Sequence, residues 1–194
     1  MRSLLSPKGW RLLVMTLPLF TSQPALPQSV VTNEISSPTI SAFELKDQFD
    51  DTHVVSFPRT NVMVLTVADW KGSEEINDWV APLKKRYGHR IHICGVANLG
   101  KVPSLLRRMV KAKFKKRYTY PIMLNWNGRI AERLGFEKNQ ASVLVIDHNG
   151  DMLLHLSGYS SEQRLGRIFK VIDDAIDNSK PTPASKQGKS KSTL

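Results

Sequence analysis

Two short segments of the chain are almost entirely apolar and rich in β-branched residues. They span residues 62–67 (V-M-V-L-T-V) and 91–97 (I-H-I-C-G-V-A). Strands that are covered on both faces have this near-continuous apolar composition, whereas strands with one solvated face alternate apolar and polar residues. The sequence therefore predicts two buried strands at the centre of a sheet.

Turn residues separate two further pairs of apolar segments, and each pair predicts a β-hairpin. The pairs are residues 43–49 with 54–57, joined through Asp50-Asp51, and residues 142–146 with 152–156, joined through His148-Asn149-Gly150. A shorter extended segment is predicted at residues 120–124, and a short helix at residues 129–134.

Three longer segments carry apolar residues at helical spacing. The first covers residues 73–87 with Ser73 as its expected cap, the second covers residues 102–118, and the third follows a capping box of Ser160 and Gln163. The stripes expected to be buried are Ile76, Trp79, Val80, Leu83 and Tyr87; Leu106, Met109, Val110 and Phe114; and Leu165, Ile168, Phe169, Ile172, Ala175 and Ile176. This order of elements predicts a single α/β domain, residues 43–178, with helices on both faces of a central mixed sheet.

The sequence patterns at the two ends of the chain differ from those of the predicted domain. Residues 1–25 combine three basic residues with a short apolar core at residues 12–20, which is typical of a secretory signal peptide. Export to the periplasm or the extracellular space is therefore expected, with an uncleaved membrane tether as the alternative. Residues 26–42 are expected to form a linker, and residues 179–194 a disordered basic tail.

The 194-residue chain has a formal net charge of +11, but that charge is unevenly distributed. Three uncompensated positive charges precede residue 20 and four follow residue 178, which leaves +4 for the residues between. This mild excess disfavours a nucleic-acid partner for the domain as a whole. One helix is nevertheless strongly basic, with Arg107, Arg108, Lys111, Lys113, Lys115, Lys116 and Arg117 and no acid.

Like charges at this density destabilise a helix, so the basic helix predicts a binding surface. The candidate binding residues are Arg107, Arg108, Lys111, Lys115, Lys116 and Arg117. The expected partner is an unidentified protein or another anionic partner, such as a lipid head group or polyanion. A solvated helix face without a partner is the alternative.

Cys94 is the single cysteine of the chain. One cysteine excludes an intrachain disulfide, a Cys-x-x-Cys redox pair and a cysteine-rich zinc site. Because Cys94 falls in the middle of a predicted strand, we expect a small buried side chain rather than a reactive thiol. The sequence predicts neither a metal site nor a cofactor.

The order of elements resembles that of the thioredoxin superfamily, and four short sequence segments support the resemblance. The segments are F-E-L-K-D from residue 43, V-M-V-L-T-V-A-D-W from residue 62, Y-P-I-M-L from residue 120 and S-V-L-V-I-D-H-N-G from residue 142. The redoxin branch, which contains alkyl hydroperoxide reductase and thiol-specific antioxidant proteins, is the most similar branch. Residues 128–159 also resemble the small periplasmic YtfJ-type proteins.

The resemblance implies a redox site that this chain does not carry. Aligning Trp70 with the family's active-site tryptophan places Lys71 and Glu74 where the two cysteines belong. The family's cis-proline falls at Ala141, where a cis peptide bond costs about 2.5–4 kcal/mol, so a trans bond is expected. The site is therefore expected to be degenerate, with Cys94 as an alternative thiol. An acid–base set of Lys71, Glu74 and Glu75 is a weaker alternative.

Three functions remain open at this point. The first is an exported, redox-inactive thioredoxin-like protein that works by binding as an accessory of the cell envelope. The second is a redoxin-type oxidoreductase or antioxidant that uses Cys94. The third is a binder of nucleic acid or an anionic membrane through the basic helix, recognised by a steep dependence on salt.

Overall fold

The computed structural model describes residues 38–178 of the chain. Seven strands and four helices follow one another, with short 3-10 turns at Gly72–Glu74, Gly88–Arg90 and Ser104–Leu106. The strands are β1 (Phe43–Lys46), β2 (Thr52–Val55), β3 (Met63–Ala68), β4 (His92–Asn98), β5 (Met123–Asn125), β6 (Ala141–Ile146) and β7 (Met152–Ser157). The helices are α1 (Ile76–Tyr87), α2 (Arg107–Arg117), α3 (Arg129–Arg133) and α4 (Glu162–Asn178).

Five of the strands form a mixed sheet in the order β5-β4-β3-β6-β7. The pairs β3–β4 and β4–β5 are parallel, and the pairs β3–β6 and β6–β7 are antiparallel. All six residues of β3 are buried, as its continuous apolar composition predicts. The hairpin β1–β2 forms a separate antiparallel pair, so both predicted hairpins are confirmed.

Side chains from alternate positions of β3 enter two different apolar clusters. Val64 belongs to the cluster that includes Trp79 of α1 and Ile168 of α4. Leu65 belongs to the cluster that includes Leu134 and Phe43. Since successive strand residues point to opposite faces, the sheet is covered on both sides, as predicted.

Helix α2 lies on the same face of the sheet as α1. Its buried residue Phe114 packs with Ala97 and Leu124 in a third cluster. Ala97 pairs with Ala68, which has the same strand parity as Val64 and therefore points to the α1 face. Helix α1 thus has α4 and α2 as neighbours on one face, while α3 contributes to the opposite face.

The starts of two helices differ from their predicted positions. Ser73 does not cap α1, because its hydroxyl donates to the Trp70 carbonyl at 2.7 Å and a 3-10 turn precedes the helix. The cap of α4 comes from Ser161, whose Oγ accepts from the Arg164 N–H at 3.3 Å. The predicted cap at Ser160 is therefore one residue too early. Either of two adjacent serines can cap a helix through its hydroxyl group, so the sequence does not distinguish them.

The predicted buried stripe of the second helix is wrong at two of its four positions. The α-helix begins at Arg107 rather than residue 102. Leu106 is 41% exposed and Met109 is 50% exposed, while Phe114 is buried and Val110 half-buried. The physical reason is that Val110 and Phe114 pack into the cluster on the sheet, while Leu106 and Met109 belong to none of the apolar clusters of the described residues.

Candidate functional site

The loop between β3 and α1 is held by a single carboxylate. Asp69 Oδ1 accepts from the Gly72 N–H at 3.0 Å, and its Oδ2 accepts from the Asn139 N–H at 2.9 Å. Asp69 therefore connects this loop, residues 69–75, to the segment that enters β6. We call residues 69–75 the junction loop.

The junction loop and the start of β6 touch through their backbones. A Cβ atom added at Gly72 would lie 2.1 Å from the Gln140 carbonyl oxygen and 2.8 Å from the Ala141 nitrogen. Glu75 Oε2 also accepts from the Ala141 N–H at 3.3 Å. No residue with a side chain fits at position 72 unless the two segments move apart, so the junction is closed.

The peptide bond before Ala141 is trans, as predicted. Within residues 38–178, the cis peptide bond is Phe57–Pro58. Ala141 itself is fully buried. It starts β6 opposite Ala68 at the end of β3.

The structure does not assemble the acid–base set considered from the sequence. Trp70 is 63% exposed, and Lys71 and Glu74 are also exposed. Neither Lys71 nor Glu74 forms a side-chain hydrogen bond or ion pair with another described residue. Glu75, the third member, is engaged by the Ala141 backbone. These side chains therefore do not converge on a common point.

Cys94 lies in the middle of β4, opposite Leu65 of β3, and packs against the apolar cluster on the α3 face. Its side chain is partly buried. Burial raises the pKa of the Cys94 thiol to about 12, and the positive charge of Arg59 opposes this shift only weakly. The thiolate that nucleophilic chemistry requires is thus disfavoured.

One polar cluster inside the sheet was not anticipated from the sequence. Ser157 Oγ lies 3.1 Å from Ser142 Oγ and 3.4 Å from His155 Nε2. Burial lowers the pKa of His155, while the charge of Glu137 acts in the opposite direction. Ser142 is fully buried, so it offers no access to a substrate.

The basic residues of α2 do not form one uniform surface. Lys111 forms an ion pair with Asp50 of the β1–β2 turn. The Arg107 guanidinium stacks 5.5 Å from the Trp126 ring centroid. The Arg117 guanidinium lies 5.9 Å from the Trp70 centroid. Three of the six predicted binding residues are therefore engaged within the domain.

The other three predicted binding residues are exposed. Arg108, Lys115 and Lys116 make no hydrogen bond, ion pair or ring contact with any residue in 38–178. Lys115 nonetheless lies near enough to Asp50 for its charge to help lower the pKa of that carboxyl, after the dominant hydrogen bond from Lys111. Arg108 and Lys116 are thus the cations of this set with no protein partner.

A cavity that sequence reasoning missed lies between α1 and α2. It has a volume of about 550 Å³, and we call it the interhelical groove. Its apolar lining includes Ile76 and Val80 of α1, Phe114 of α2, Ile93 of β4 and Ile122, which precedes β5. Ile76 and Val80 belong to the predicted apolar stripe of the first helix. One edge of this stripe packs on the core, and the other edge lines the groove.

No group of three or more His, Cys, Asp or Glu side chains in residues 38–178 is arranged to hold a metal ion. Among the helices of the same residues, none combines the length and apolar character needed to cross a bilayer.

The chain resembles solved structures rather than any sequence family. No protein-family profile matches the sequence, and no curated protein sequence matches it significantly. The exposed lipoprotein thioredoxin Etrx1 of Streptococcus pneumoniae strain TIGR4 has a similar structure, with a TM-score of 0.55 and 16% identity, over 67% of this chain and 98% of that chain.

Two further solved structures are similar to the same extent. A putative thiol:disulfide interchange protein DsbE from Chlorobium tepidum gives a TM-score of 0.56 at 15% identity, over 73% of this chain and 97% of that chain. BsSco, a member of the Sco family of cytochrome c oxidase assembly proteins, gives a TM-score of 0.55 at 12% identity, over 73% of this chain and 95% of that chain. The described domain therefore has a thioredoxin-like fold.

Proposed function

We propose that this chain is an exported, redox-inactive protein of thioredoxin-like fold that acts by binding, as an accessory of the cell envelope. The observation that carries this proposal is the closed junction loop. Gly72 packs against Gln140 and Ala141, at the place where the resemblance to thioredoxins implies a cysteine pair. A fold alone does not specify an activity, whereas the residues at the site do.

The chemistry of the site supports a non-catalytic role. Thiol–disulfide exchange and peroxide reduction both need an accessible thiolate. Residues 69–77 contain no cysteine. Burial raises the pKa of Cys94 to about 12, so the thiolate is disfavoured at neutral pH.

Export and family placement are part of the same proposal and rest on the sequence. The basic residues and short apolar core of residues 1–25 support a signal peptide, cleaved or retained as a tether. One structural neighbour is described as an exposed lipoprotein. Placement in the redoxin branch, near the YtfJ-type proteins, depends on the segments quoted above.

Reduction of insulin by dithiothreitol tests the redox part of the proposal. We expect the purified full chain to leave the rate at the uncatalysed background. The variant Cys94→Ser should behave in the same way. Turnover that disappears in Cys94→Ser would contradict the proposal and favour the redoxin-type oxidoreductase.

Labelling of Cys94 gives a second, independent readout of the same question. A thiol reagent such as dithionitrobenzoate should react slowly with the folded chain at pH 8 and rapidly after unfolding in urea, because burial disfavours the thiolate. Labelling at the same rate in both states would show that the thiol is accessible and activated.

A specific observation favours an anionic membrane surface as the partner of the basic helix. Leu105 is 90% exposed and lies next to Leu106 and Met109, which are 41% and 50% exposed. These side chains lie beside Arg108 on the exposed edge of α2. Helices that bind at membrane interfaces combine apolar and cationic side chains in this way, whereas apolar side chains contribute little to phosphate-backbone binding.

Co-sedimentation with vesicles tests this surface. We expect the full chain to bind phosphatidylglycerol vesicles at low salt, and to bind phosphatidylcholine vesicles weakly. The double variant Arg108→Gln/Lys116→Gln should weaken binding roughly 30-fold, because each cation near an anionic surface contributes about 1 kcal/mol.

A variant of equal charge change serves as the control. Arg129→Gln/Lys138→Gln removes two exposed cations from α3 and the loop that follows it. It should bind the vesicles nearly as well as the wild-type chain. Equal losses in the two double variants would show that net charge, rather than the α2 surface, determines binding.

A further inference from the structure

The interhelical groove has the dimensions and lining of a small-molecule site. Its volume of about 550 Å³ falls within the roughly 300–1,000 Å³ typical of ligand pockets, which are lined mainly by apolar and aromatic side chains. The α1 wall contributes Ile76, Val80 and Ala81, and the α2 wall contributes Phe114.

The floor of the groove is made of small residues on the sheet. Ala68 of β3, with Gly95 and Ala97 of β4, lines it. A Cβ atom at Gly95 would lie 3.3 Å from Thr66 Oγ1, so the backbone here already approaches its neighbour closely. Small side chains at these positions leave an apolar space above the sheet where larger side chains would fill the gap between α1 and α2.

Positive charge is concentrated at the mouth of this apolar space. Lys113 and Arg117 line it from α2, and Lys84 lines it from α1. Of the two lining carboxylates, Asp69 is already bonded to the Gly72 and Asn139 N–H groups, which leaves Glu74 as the acid at the rim. An anionic group at the mouth is therefore complementary to the α2 side of the groove.

Two cation–π contacts join the walls of the groove. The Arg117 guanidinium lies 5.9 Å from the Trp70 centroid, and Lys84 Nζ lies 5.2 Å from the Tyr120 centroid. Trp70 is 63% exposed and Tyr120 is 51% exposed. These large apolar surfaces lie at the mouth in contact with cations, as at a boundary between an apolar interior and a charged rim.

We propose that the interhelical groove binds a long-chain carboxylate, with its alkyl chain between α1 and α2 and its carboxylate at Lys113 and Arg117. The alkyl chain covers the otherwise solvated apolar walls, and removing this apolar surface from water favours binding. The carboxylate accepts charge-assisted hydrogen bonds from the guanidinium and ammonium groups. The junction loop contributes Trp70 and Glu74 to the mouth of this site, whereas Arg108 and Lys116 on the exposed face of α2 lie outside its lining.

Calorimetric titration of the full chain with laurate, below its micelle concentration and without vesicles, tests the proposal. We expect saturable binding of one laurate per chain. Dodecanol has the same alkyl chain without the charge, and we expect it to bind about tenfold more weakly or less. Equal binding of laurate and dodecanol would overturn the assignment of the carboxylate to the cations.

Two double variants on one helix separate the groove from the exposed face of α2. Lys113→Gln/Arg117→Gln removes the cations that line the groove, and we expect it to weaken laurate binding about tenfold or more. Arg108→Gln/Lys116→Gln removes the same charge from positions outside the groove lining, and it should leave laurate binding unchanged. Equal effects of the two variants would overturn the site.

A third variant tests the position of the alkyl chain. Ala81 is exposed on α1 and lines the groove, so Ala81→Trp should fill the space and abolish laurate binding. Circular dichroism checks that this variant is folded; if it is not, the comparison of the charge variants decides. Full laurate binding by folded Ala81→Trp would overturn the proposal, even if the vesicle and insulin experiments give their expected results.

Discussion

At the scale of single residues, Gly72 determines how closely the junction loop approaches the start of β6. Thioredoxin-type chemistry requires side chains that project from the junction between a strand and a helix N-terminus. Here the Gly72 backbone approaches Gln140 so closely that a Cβ atom would lie 2.1 Å from its carbonyl oxygen. A side chain at position 72 would therefore disturb the contact between the junction loop and the start of β6.

Substitution at Gly72 is expected to be destabilising. Gly72→Ala should lower the free energy of unfolding by about 2–3 kcal/mol, since overpacking of a rigid backbone contact costs this much. The control is Gly166→Ala on α4, where an added Cβ meets no atom within 4 Å. That substitution should raise the free energy of unfolding by about 0.5–1 kcal/mol.

Urea unfolding of the two variants measures both effects. Opposite signs for Gly72→Ala and Gly166→Ala would support the closed junction. A neutral Gly72→Ala would mean that the junction loop and the start of β6 are separated in solution.

This contact also shows what local sequence patterns could not provide. The absence of cysteine in residues 69–77 was visible in the sequence, and so was Ala141 in place of proline. The packing of Gly72 on Gln140 joins residues far apart in the chain, and no local pattern reports such a distance. Asp69 was likewise missed as the connector, because one aspartate after a strand has many possible roles.

At the scale of elements, α2 is the least buried of the four described helices. Phe114 is 9% exposed and anchors a small cluster with Ala97 and Leu124. Leu105 precedes the helix and is 90% exposed. The two residues are therefore expected to contribute very differently to stability.

Truncation of these two side chains tests that difference. Phe114→Ala should lower the free energy of unfolding by about 3 kcal/mol, because it leaves a cavity beside the sheet. Leu105→Ser should change it by less than about 0.5 kcal/mol, as for other exposed positions. A large loss of stability in Leu105→Ser would show that this side chain is covered by another part of the chain.

The strands were predictable from the sequence, whereas the residues of α2 that other elements bury were not. A continuous apolar run such as β3 requires burial on both faces, so its place at the centre of the sheet follows from composition. Helical spacing of Leu106, Met109 and Phe114 shows only that they share a side of the helix. Whether another element covers that side depends on tertiary packing, which the spacing of apolar residues along one helix does not report.

At the scale of the whole molecule, two buried acidic groups make stability depend on alkaline pH. Burial raises the pKa of Cys94 from 9.0 to about 12. Burial, followed by the hydrogen bond to Asp173, raises the pKa of Tyr87 from 10.0 to about 12. The folded state thus keeps both protons at pH values where the unfolded chain loses them.

The sign of the effect follows from proton linkage. The contribution of these two groups to the free energy of unfolding is fully present below about pH 9 and falls as the pH rises towards 12. Urea unfolding at pH 8, 9.5 and 10.5 should show a shallower fall for Cys94→Ala than for the wild-type chain, and a shallower fall again for Cys94→Ala/Tyr87→Phe. Parallel curves for all three proteins would contradict these shifts.

The buried side chain of Gln48 has a consequence for how the domain meets other proteins. Its amide donates to the Tyr120 carbonyl at 2.7 Å, and its Oε1 accepts from the Ile122 N–H at 2.9 Å. The next bridge, between Asp47 and Met123, continues this pairing onto β5. An open sheet edge is a template for adding a foreign strand and for aggregation. The β1–β2 hairpin blocks that route at β5, so a partner that docks here must recognise side chains rather than extend the sheet.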